Sequence, residues 1–162
     1  MSWINRPEVT RNFAVISRKI TREQELAFLA NMIASETDRL YAICSNDGTY
    51  LGNAGIHKIY WPAKNGRLGI VVGNIKAHGK GVGSAALRAL CKLGFNDLGL
   101  HKLWIIHFRD NQRMNHMATQ LGFQQEGILR DEYFHNGRYH DMVRLSLLST
   151  DPIHSDPDGK SA

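Results

Sequence analysis

Three glycines alternate with other residues in segment 78–84, which reads His-Gly-Lys-Gly-Val-Gly-Ser. An apolar stretch typical of a buried strand precedes the segment, and a stretch with helical apolar periodicity follows it. Glycine lets backbone N–H groups point into one concavity, and a helix N-terminus adds about half a positive charge. The segment therefore predicts a binding site for a phosphate or pyrophosphate group. The alternative interpretation is a tight strand-to-helix connection.

The spacing of these glycines narrows the chemistry. A P-loop needs Gly-x4-Gly-Lys-Ser/Thr, and a dinucleotide-binding turn needs Gly-x-Gly-x-x-Gly, whereas here the third glycine comes one residue early. The glycine spacing therefore does not favour nucleotide hydrolysis or dinucleotide redox chemistry. The two cysteines, Cys44 and Cys91, match no zinc motif, so no metal is expected.

The positive charge of the chain is concentrated around the same segment. The sequence carries 20 Lys and Arg against 15 Asp and Glu, a net charge of +5. Seven basic and two acidic residues lie between positions 76 and 113, so this stretch alone carries the surplus. A nucleic-acid-binding module is the alternative that such charge invites, but the stretch lacks the interleaved aromatic residues of a single-strand binder. The charge is better interpreted as a local field for an anionic cofactor, and no nucleic-acid partner is expected.

The composition is that of one ordinary globular domain, with 162 residues, 43% of them hydrophobic and 22% charged. No apolar run approaches the ~20 residues that span a bilayer, so no membrane partner is expected. The N-terminus lacks the basic and then apolar pattern of a signal peptide. With so few cysteines, a reducing cytoplasmic location is the default expectation.

Turn signals and apolar periodicity divide the chain into strands and helices. Thr21 and Gln24 form a capping box that begins a helix over 22–34, and Asn136-Gly137 predicts a hairpin. The remaining predicted elements are strands over 40–44, 50–60, 67–73 and 103–108, helices over 81–97 and from Asn111 to near Gly122, and paired strands over 124–134 and 138–148. This order predicts a mixed α/β fold, a mostly antiparallel sheet flanked by helices, over residues 1–148. Residues 149–162 are predicted to be a disordered tail.

Residues 67–83 resemble the acetyl-CoA-binding core of the GNAT acetyltransferase superfamily, whose signature is Gln/Arg-x-x-Gly-x-Gly/Ala. The signature begins here at His78, where histidine replaces Gln or Arg. Asn111, followed by Gly122-Phe123, matches the Asn-x10-Gly-Phe block of the family. The resemblance implies the GNAT-like acyl-CoA N-acyltransferase fold.

Both ends of the chain resemble one branch of that superfamily, the ribosomal-protein N-terminal and spermidine acetyltransferases. Residues 3–9 resemble the first helix of the branch, so the resemblance covers residues 3–148. The family usually has a strand before that helix, and this sequence is expected to lack it. The C-terminal positions that resemble the branch hairpin are Glu126-Gly127, Arg130, Tyr133, Asn136-Gly137 and Asp141.

The resemblance implies acetyl-CoA as the co-substrate. Backbone groups of a strand edge would hold the pantetheine arm, and the glycine turn would hold the pyrophosphate. Lys80, Arg88 and Arg113 are candidate partners for the remaining phosphates, on the ground of charge. The predicted cofactor-binding residues are Ile70, Val71, Val72, His78, Gly79, Lys80, Gly81, Val82, Gly83, Ser84 and Asn111.

Acetyl transfer to an amine also requires a group that takes a proton, since a lysine-like amine has a pKa near ~10.4. No residue has this role throughout the family. His57 lies in a predicted strand beside the expected cleft and has a suitable pKa, with an ordinary surface histidine as the alternative. Glu126, Tyr133 and Asp141 are candidates for binding the substrate, with ordinary hairpin pairing as the alternative for the two acids.

The leaving thiolate needs a proton as well. Many relatives have a tyrosine seven residues after the Asn of the second block, and this position holds Ala118 here. His116 and Tyr133 are the candidate substitutes.

The function implied by the resemblance is an acetyl-CoA-dependent N-acetyltransferase, which moves an acetyl group directly to a primary amine of a small molecule or of a protein N-terminus. A catalytically weak or inactive CoA-binding relative with a regulatory role is the main alternative. Protein N-termini, polyamines and amino sugars all stay open as acceptors. A homodimer is a further expectation, because hairpins of this family often lie at dimer contacts.

Overall fold

The structure, a computed structural model, describes residues 3–10 and 19–154. The predicted order of strands and helices is confirmed. The helices are α1 (Pro7–Thr10), α2 (Arg22–Ala34), α3 (Val82–Lys92) and α4 (Gln112–Gln120). The strands are β1 (Arg39–Cys44), β2 (Tyr50–Tyr60), β3 (Asn65–Val72), β4 (Lys102–Phe108), β5 (Gln124–His135) and β6 (Arg138–Leu148). The helix predicted over 81–97 is α3 followed by a π-helical turn, Leu93–Asp97.

The six strands form one sheet in the order β1-β2-β3-β4-β6-β5. Every neighbouring pair is antiparallel except β3 and β4, which are parallel, so the predicted mixed sheet is confirmed. The parallel ladder holds only three residue pairs, from Asn65 with Lys102 to Arg67 with Trp104. Beyond Arg67 the two strands diverge, and this opening in the middle of the sheet positions the candidate site.

One face of the sheet carries the hydrophobic core beneath α3 and α4. Apolar side chains recur along α3 at helical spacing, which is why this helix buries one face against the strands. Each fully buried leucine or isoleucine contributes about 1.5–3 kcal/mol relative to an exposed one. The largest fully buried side chains are Ile56, Leu87, Leu90, Cys91, Leu103, Leu121, Leu145 and Leu147.

Helix α2 lies at the other face and is confirmed over its predicted range. Its start is as predicted, because Thr21 accepts a hydrogen bond from the Gln24 N–H and the Gln24 side chain accepts one from the Thr21 N–H. No residue of the helix is buried, however, and Ile33 is 86% exposed. The apolar periodicity therefore marks a partly open wall, and not a core face. No helix in the described ranges is long and apolar enough to cross a membrane.

β1 is the outer strand at its end of the sheet, and within residues 3–10 and 19–154 no strand pairs with its free side. At the other end of the chain, residues 149–154, which were predicted to belong to the tail, contact the body of the fold. The His154 N–H donates to the Leu121 carbonyl at 3.3 Å, and the Arg88 guanidinium donates to the His154 carbonyl at 2.6 Å. The rest of the predicted tail, 155–162, lies outside the described residues.

Two glycines in the sheet differ in the space around them and give a test of its packing. A Cβ on Gly52, in β2, would collide with the Val71 carbonyl, whereas a Cβ on Gly127, in β5, would meet nothing within 4 Å. We expect Gly52→Ala to destabilise the fold by about 1–3 kcal/mol, because the β3 backbone must move. Gly127→Ala should be neutral or stabilising by about 0.4–1 kcal/mol. Urea unfolding of both variants measures this, and equal losses would contradict the packing described.

Candidate active site

The divergence of β3 from β4 opens a cleft with a volume of about 1270 Å³. Met114 and Met117 of α4 line it from the core side, and Phe28 and Met32 of α2 line it from the opposite side. The cleft therefore passes through the sheet, and ligands can approach it from both faces.

The predicted residues Ile70, Val71 and Val72 lie along one wall of this cleft. They pair with β2 on one side, at Ala54, Asn53 and Gly52, but with no residue of β4 on the other. A strand edge of this kind presents unpaired backbone N–H and C=O groups, which an extended ligand with amide groups can bind.

The glycine turn lies at the end of this strand edge, and its three glycines have two different roles. Gly79 and Gly81 have φ values of 76° and 78°, in the left-handed region that favours glycine. Gly81 is the N-cap of α3, and no side chain caps the helix there, which leaves its first-turn N–H groups available to an anion. Gly83 instead allows α3 to approach α4, because a Cβ there would lie 3.0 Å from the sulfur of Met117.

His78, at the first position of the signature, connects the turn to the strand edge. Its Nε2 lies 2.7 Å from the Val72 carbonyl oxygen, so this ring nitrogen donates the hydrogen bond. Val82 and Ser84 form the first turn of α3, next to Gly81. Asn111 caps α4 by accepting a hydrogen bond from the Met114 N–H at 3.1 Å, and it also lines the cleft.

The predicted cations are not equivalent. Arg113 lines the cleft, and Lys80 is exposed on the glycine turn. Arg88 points instead toward the C-terminal segment, where it donates to the His154 carbonyl. Arg113 is therefore the one of these three cations that lines the cleft, and the assignment of all three to the phosphates stays a prediction.

His57, the predicted proton acceptor, lines the cleft and has a partner that sequence reasoning missed. Its Nδ1 lies 3.0 Å from Oδ1 of Asp38, and the two side chains are 16% and 18% exposed. Because a carboxylate accepts, Nδ1 carries the proton, and Nε2 has no hydrogen-bond partner among the described residues. The pair thus presents a ring nitrogen that can take a proton from a ligand.

A cross-strand pair of glycines makes room for this imidazole. Gly55 of β2 and Gly69 of β3 are directly opposite each other. A Cβ on Gly55 would lie 2.6 Å from Nε2 of His57, and a Cβ on Gly69 would lie 3.2 Å from its Cδ2. Side chains at either position would therefore displace the ring.

The Asp38 carboxylate is held in place by the residues around it. Ser35 and Thr37 donate to its Oδ2 at 2.8 and 3.2 Å, and the backbone N–H of Lys58 donates to Oδ1 at 3.4 Å. Lys58 has a φ of 51° at a register shift of β2, which turns its N–H toward the carboxylate. The bulge thus helps to hold the Asp38 carboxylate against His57.

The electrostatics keep the His57 ring neutral. Burial is the main cause that lowers its pKa below the ordinary 6.5, the hydrogen bond that His57 donates to Asp38 opposes this in part, and the Arg67 charge lowers it further. For Asp38, burial favours a higher pKa, but the hydrogen bonds from Ser35, His57 and Lys58 outweigh it, so its pKa is lowered. An anionic Asp38 beside a neutral His57 is the state of a general base at neutral pH.

The two acids predicted to bind substrate lie outside the cleft and have partners of their own. Glu126 binds Lys102, Ser146 and, at 3.2 Å, Arg144. Asp141 binds Arg109 at 3.1 Å and the Asp131 N–H at 3.1 Å. These contacts agree with the ordinary hairpin pairing that was the alternative interpretation, and the assignment of both acids to substrate binding stays a prediction.

Neither predicted substitute for the missing tyrosine reaches the cleft. Tyr133 packs edge-on against Phe108, with ring centroids 5.9 Å apart, on the hairpin beyond the cleft wall. His116 is exposed, because it lies between Met114 and Met117 in sequence but on the opposite side of α4. Both assignments to catalysis stay predictions, and neither side chain lines the cleft in the described ranges. No group of residues in the described ranges could hold a metal ion.

Comparisons with known proteins agree with this arrangement. A family model described as the acetyltransferase (GNAT) domain matches residues 1–124. The spermidine N(1)-acetyltransferase of Escherichia coli (strain K12) is 36% identical over 70 residues, 43% of this chain and 38% of that protein. The putative ribosomal N-acetyltransferase YdaF of Bacillus subtilis (strain 168) is 30% identical over 102 residues, 63% of this chain and 55% of that protein. The chain thus spans about half or less of the length of these relatives.

A solved structure, the spermidine N-acetyltransferase of Vibrio cholerae in complex with CoA and spermine, superposes with a TM-score of 0.85. The sequence identity is 20%, and the superposition covers 92% of this chain and 87% of the other. This similarity establishes the fold.

The contact between Asp38 and His57 can be tested by NMR titration of the imidazole. We expect His57 to titrate below 6.5, and Asp38→Asn to lower its pKa further, because the charge and the hydrogen bond that raise it are lost. Asp47→Asn is the control, since Asp47 binds Ser45 and Thr49 in a turn outside the cleft. An unchanged or raised His57 pKa in Asp38→Asn would show that the pair does not form.

Proposed function

Because this chain belongs to the acetyltransferase (GNAT) domain family, we propose that it transfers an acetyl group from acetyl-CoA directly to a primary amine of a small molecule or of a protein N-terminus. The observation that carries the proposal is the opening between β3 and β4. An unpaired strand edge, an uncapped helix N-terminus and the Asp38–His57 pair meet there in one cleft. Relatives named for spermidine and ribosomal N-acetylation support an amine acceptor.

The described residues fit acetyl-CoA. The open edge of β3 from Ile70 to Val72 offers backbone partners to an arm that contains amides. The first turn of α3, with Lys80 and Arg113 nearby, offers N–H groups and positive charge to phosphates. When bound, acetyl-CoA supplies an activated thioester carbonyl for attack by the amine.

His57 performs the proton transfer in this proposal. An amine attacks only in its neutral form, and a lysine-like amine is mostly protonated at neutral pH. Nε2 of the neutral ring accepts the proton, while Asp38 holds the opposite ring nitrogen and stabilises the imidazolium that forms. Water that enters the cleft then carries the proton away.

A dedicated acid for the leaving thiol is not required. Ala118, at the position of the family tyrosine, is fully buried in the core, and none of the residues that line the cleft in the described ranges is a tyrosine. A thiol has a pKa near ~8.5, so a thiolate can leave at neutral pH and take its proton from water or from protonated His57.

Direct transfer is favoured over a route through an acetylated cysteine. Burial raises the pKa of the Cys91 thiol to about 12, so its nucleophilic thiolate does not form at neutral pH. Cys44 lies on β1 and does not line the cleft. The acceptor amine is therefore the nucleophile that meets the thioester.

The alternative is that the chain binds CoA without catalysing transfer. The observation in its favour is that Ala118 stands where many relatives have a tyrosine. The position of Asp38 and His57 argues for turnover, because a protein that only binds CoA has no need of a held proton acceptor. Release of free CoA with an acceptor amine separates the two functions.

Cellular location and assembly stay predictions. The two free thiols, Cys44 and Cys91, support a reducing cytoplasmic location. A homodimer finds support in the exposed aromatic pair at the hairpin tip, where Phe134 and Tyr139 are 60% and 63% exposed.

Binding of CoA at the glycine turn predicts that CoA raises the melting temperature of the protein. Millimolar CoA should raise the Tm of the wild type, because it binds only the folded state. Gly81→Leu should abolish this rise, since a side chain at the N-cap occupies the anion site. Gly48→Leu is the matched control, because Gly48 has a φ of 82° against 78° for Gly81, both have open space around them, and Gly48 lies in the turn after β1. A Tm rise that survives in Gly81→Leu would contradict this location of the phosphates.

The assignment of His57 as the general base predicts that its replacement lowers kcat and removes the acid limb of the pH profile. His57→Gln should lower kcat by about 10²–10⁴-fold, because glutamine cannot take a proton. In the wild type, kcat/KM should fall as the pH drops through the lowered pKa of His57, below 6.5, where the ring becomes protonated. Assays of free CoA release over pH 5–8, with His101→Gln as the control outside the cleft, measure both effects. An unchanged acid limb in His57→Gln would exclude His57 as the base.

A further inference from the structure

Arg67 presents a positive charge in the cleft that no described carboxylate contacts directly. It is the cross-strand partner of His57 and lies at the last residue pair before β3 leaves β4. The side chain lines the cleft and is half-buried, yet it forms no hydrogen bond or ion pair with any described residue. Other arginines of the sheet region behave differently, since Arg109 and Arg144 each bind a carboxylate.

The nearest carboxylate is already occupied. Asp38 contributes to the electrostatics of Arg67, but its two oxygens accept from Ser35, Thr37, His57 and the Lys58 N–H. Burial lowers the pKa of Arg67, which shows that the cation has lost part of its hydration. A guanidinium in this position gains most from an external anion.

Glu8, Glu25 and Asp110 also line the cleft, but Asp38 is the only described acid whose charge acts on the pKa of Arg67. Glu25, on α2, is near enough to Tyr50 to contribute to the raised pKa of that residue, although burial is the larger cause. Tyr50 begins β2 and lies seven residues from His57, which is about 23 Å along a strand. Glu25 therefore does not neutralise Arg67. The cross-strand neighbours of Arg67 are instead the uncharged side chains of His57 and Trp104.

From this arrangement we propose that the acceptor is an amine that also carries a carboxylate, an amino acid or amino-acid derivative. Its carboxylate binds the Arg67 guanidinium, and its amino group gives a proton to His57. The inference rests on the proposed acetyl transfer and names the substrate class. A planar carboxylate accepts two parallel hydrogen bonds from a guanidinium, whereas a polycation would bring like charge against Arg67.

The test compares acceptors that differ only in the anionic group. L-amino acids, their amides, the corresponding decarboxylated amines, an aminoalkyl phosphate and spermidine are assayed for free CoA release. We expect kcat/KM for at least one amino acid to exceed that of its amide and its amine by tenfold or more. Faster turnover of an amide, a phosphate or spermidine than of every amino acid would overturn the inference.

Variants of Arg67 connect this preference to the residue. Arg67→Met should remove the preference for the carboxylate, and Arg67→Lys should keep part of it. Arg138→Met, an exposed arginine of the hairpin outside the cleft, is the control and should keep all of it. The Tm of unliganded Arg67→Met should be unchanged or higher, because no ion pair is lost. A Tm lowered by several degrees, or a preference that survives in Arg67→Met, would overturn the assignment.

Binding measurements separate failure of this inference from failure of the proposed function. If CoA does not raise the Tm of the wild type, the acetyl transfer fails and the inference fails with it. If CoA raises the Tm but no amino acid raises it further or is acetylated, the inference alone is overturned. If an amino acid adds to the Tm of the CoA-bound wild type and not to that of CoA-bound Arg67→Met, the inference is supported even where turnover is slow.

Discussion

The structure depends on one constraint, the end of parallel pairing after three residue pairs between β3 and β4. Unpaired backbone groups inside a sheet cost free energy unless a ligand or water binds them. The sheet tolerates the gap because β2 and β6 form long antiparallel ladders with the outer sides of the two strands. The same gap exposes a strand edge that a ligand can bind, and it connects the two faces of the sheet through one cleft. Cofactor-binding and proton-accepting groups can therefore approach each other from opposite sides.

Within this opening, the space left by two glycines positions the His57 ring as much as its hydrogen bond to Asp38 does. The depression formed by Gly55 and Gly69 holds the His57 ring, and the loop before β1 holds Asp38 against it. The bulge after His57 turns a backbone N–H toward the same carboxylate. The space at the glycines, the left-handed backbone of Lys58 and the charge of Asp38 thus all act on the position of the His57 ring.

Much of this could be predicted from the sequence, because its signals are local. The capping box, the Asn-Gly turn, the Asn111 cap and the glycine turn each act within a few residues, and each lies where it was predicted. Asp38 could not be found, since it lies 19 residues before His57 and meets it only through the pairing of β1 with β2.

Helix α2 has a consequence for how ligands leave. No residue of the helix is buried, although Phe28 and Met32 line one side of the cleft. Segments with few buried contacts open locally at a free energy far below that of global unfolding. The α2 wall of the cleft can therefore separate from the sheet while the core beneath α3 and α4 stays intact. In the proposed function, the rigid side would bind the donor and the yielding side would release the acetylated product.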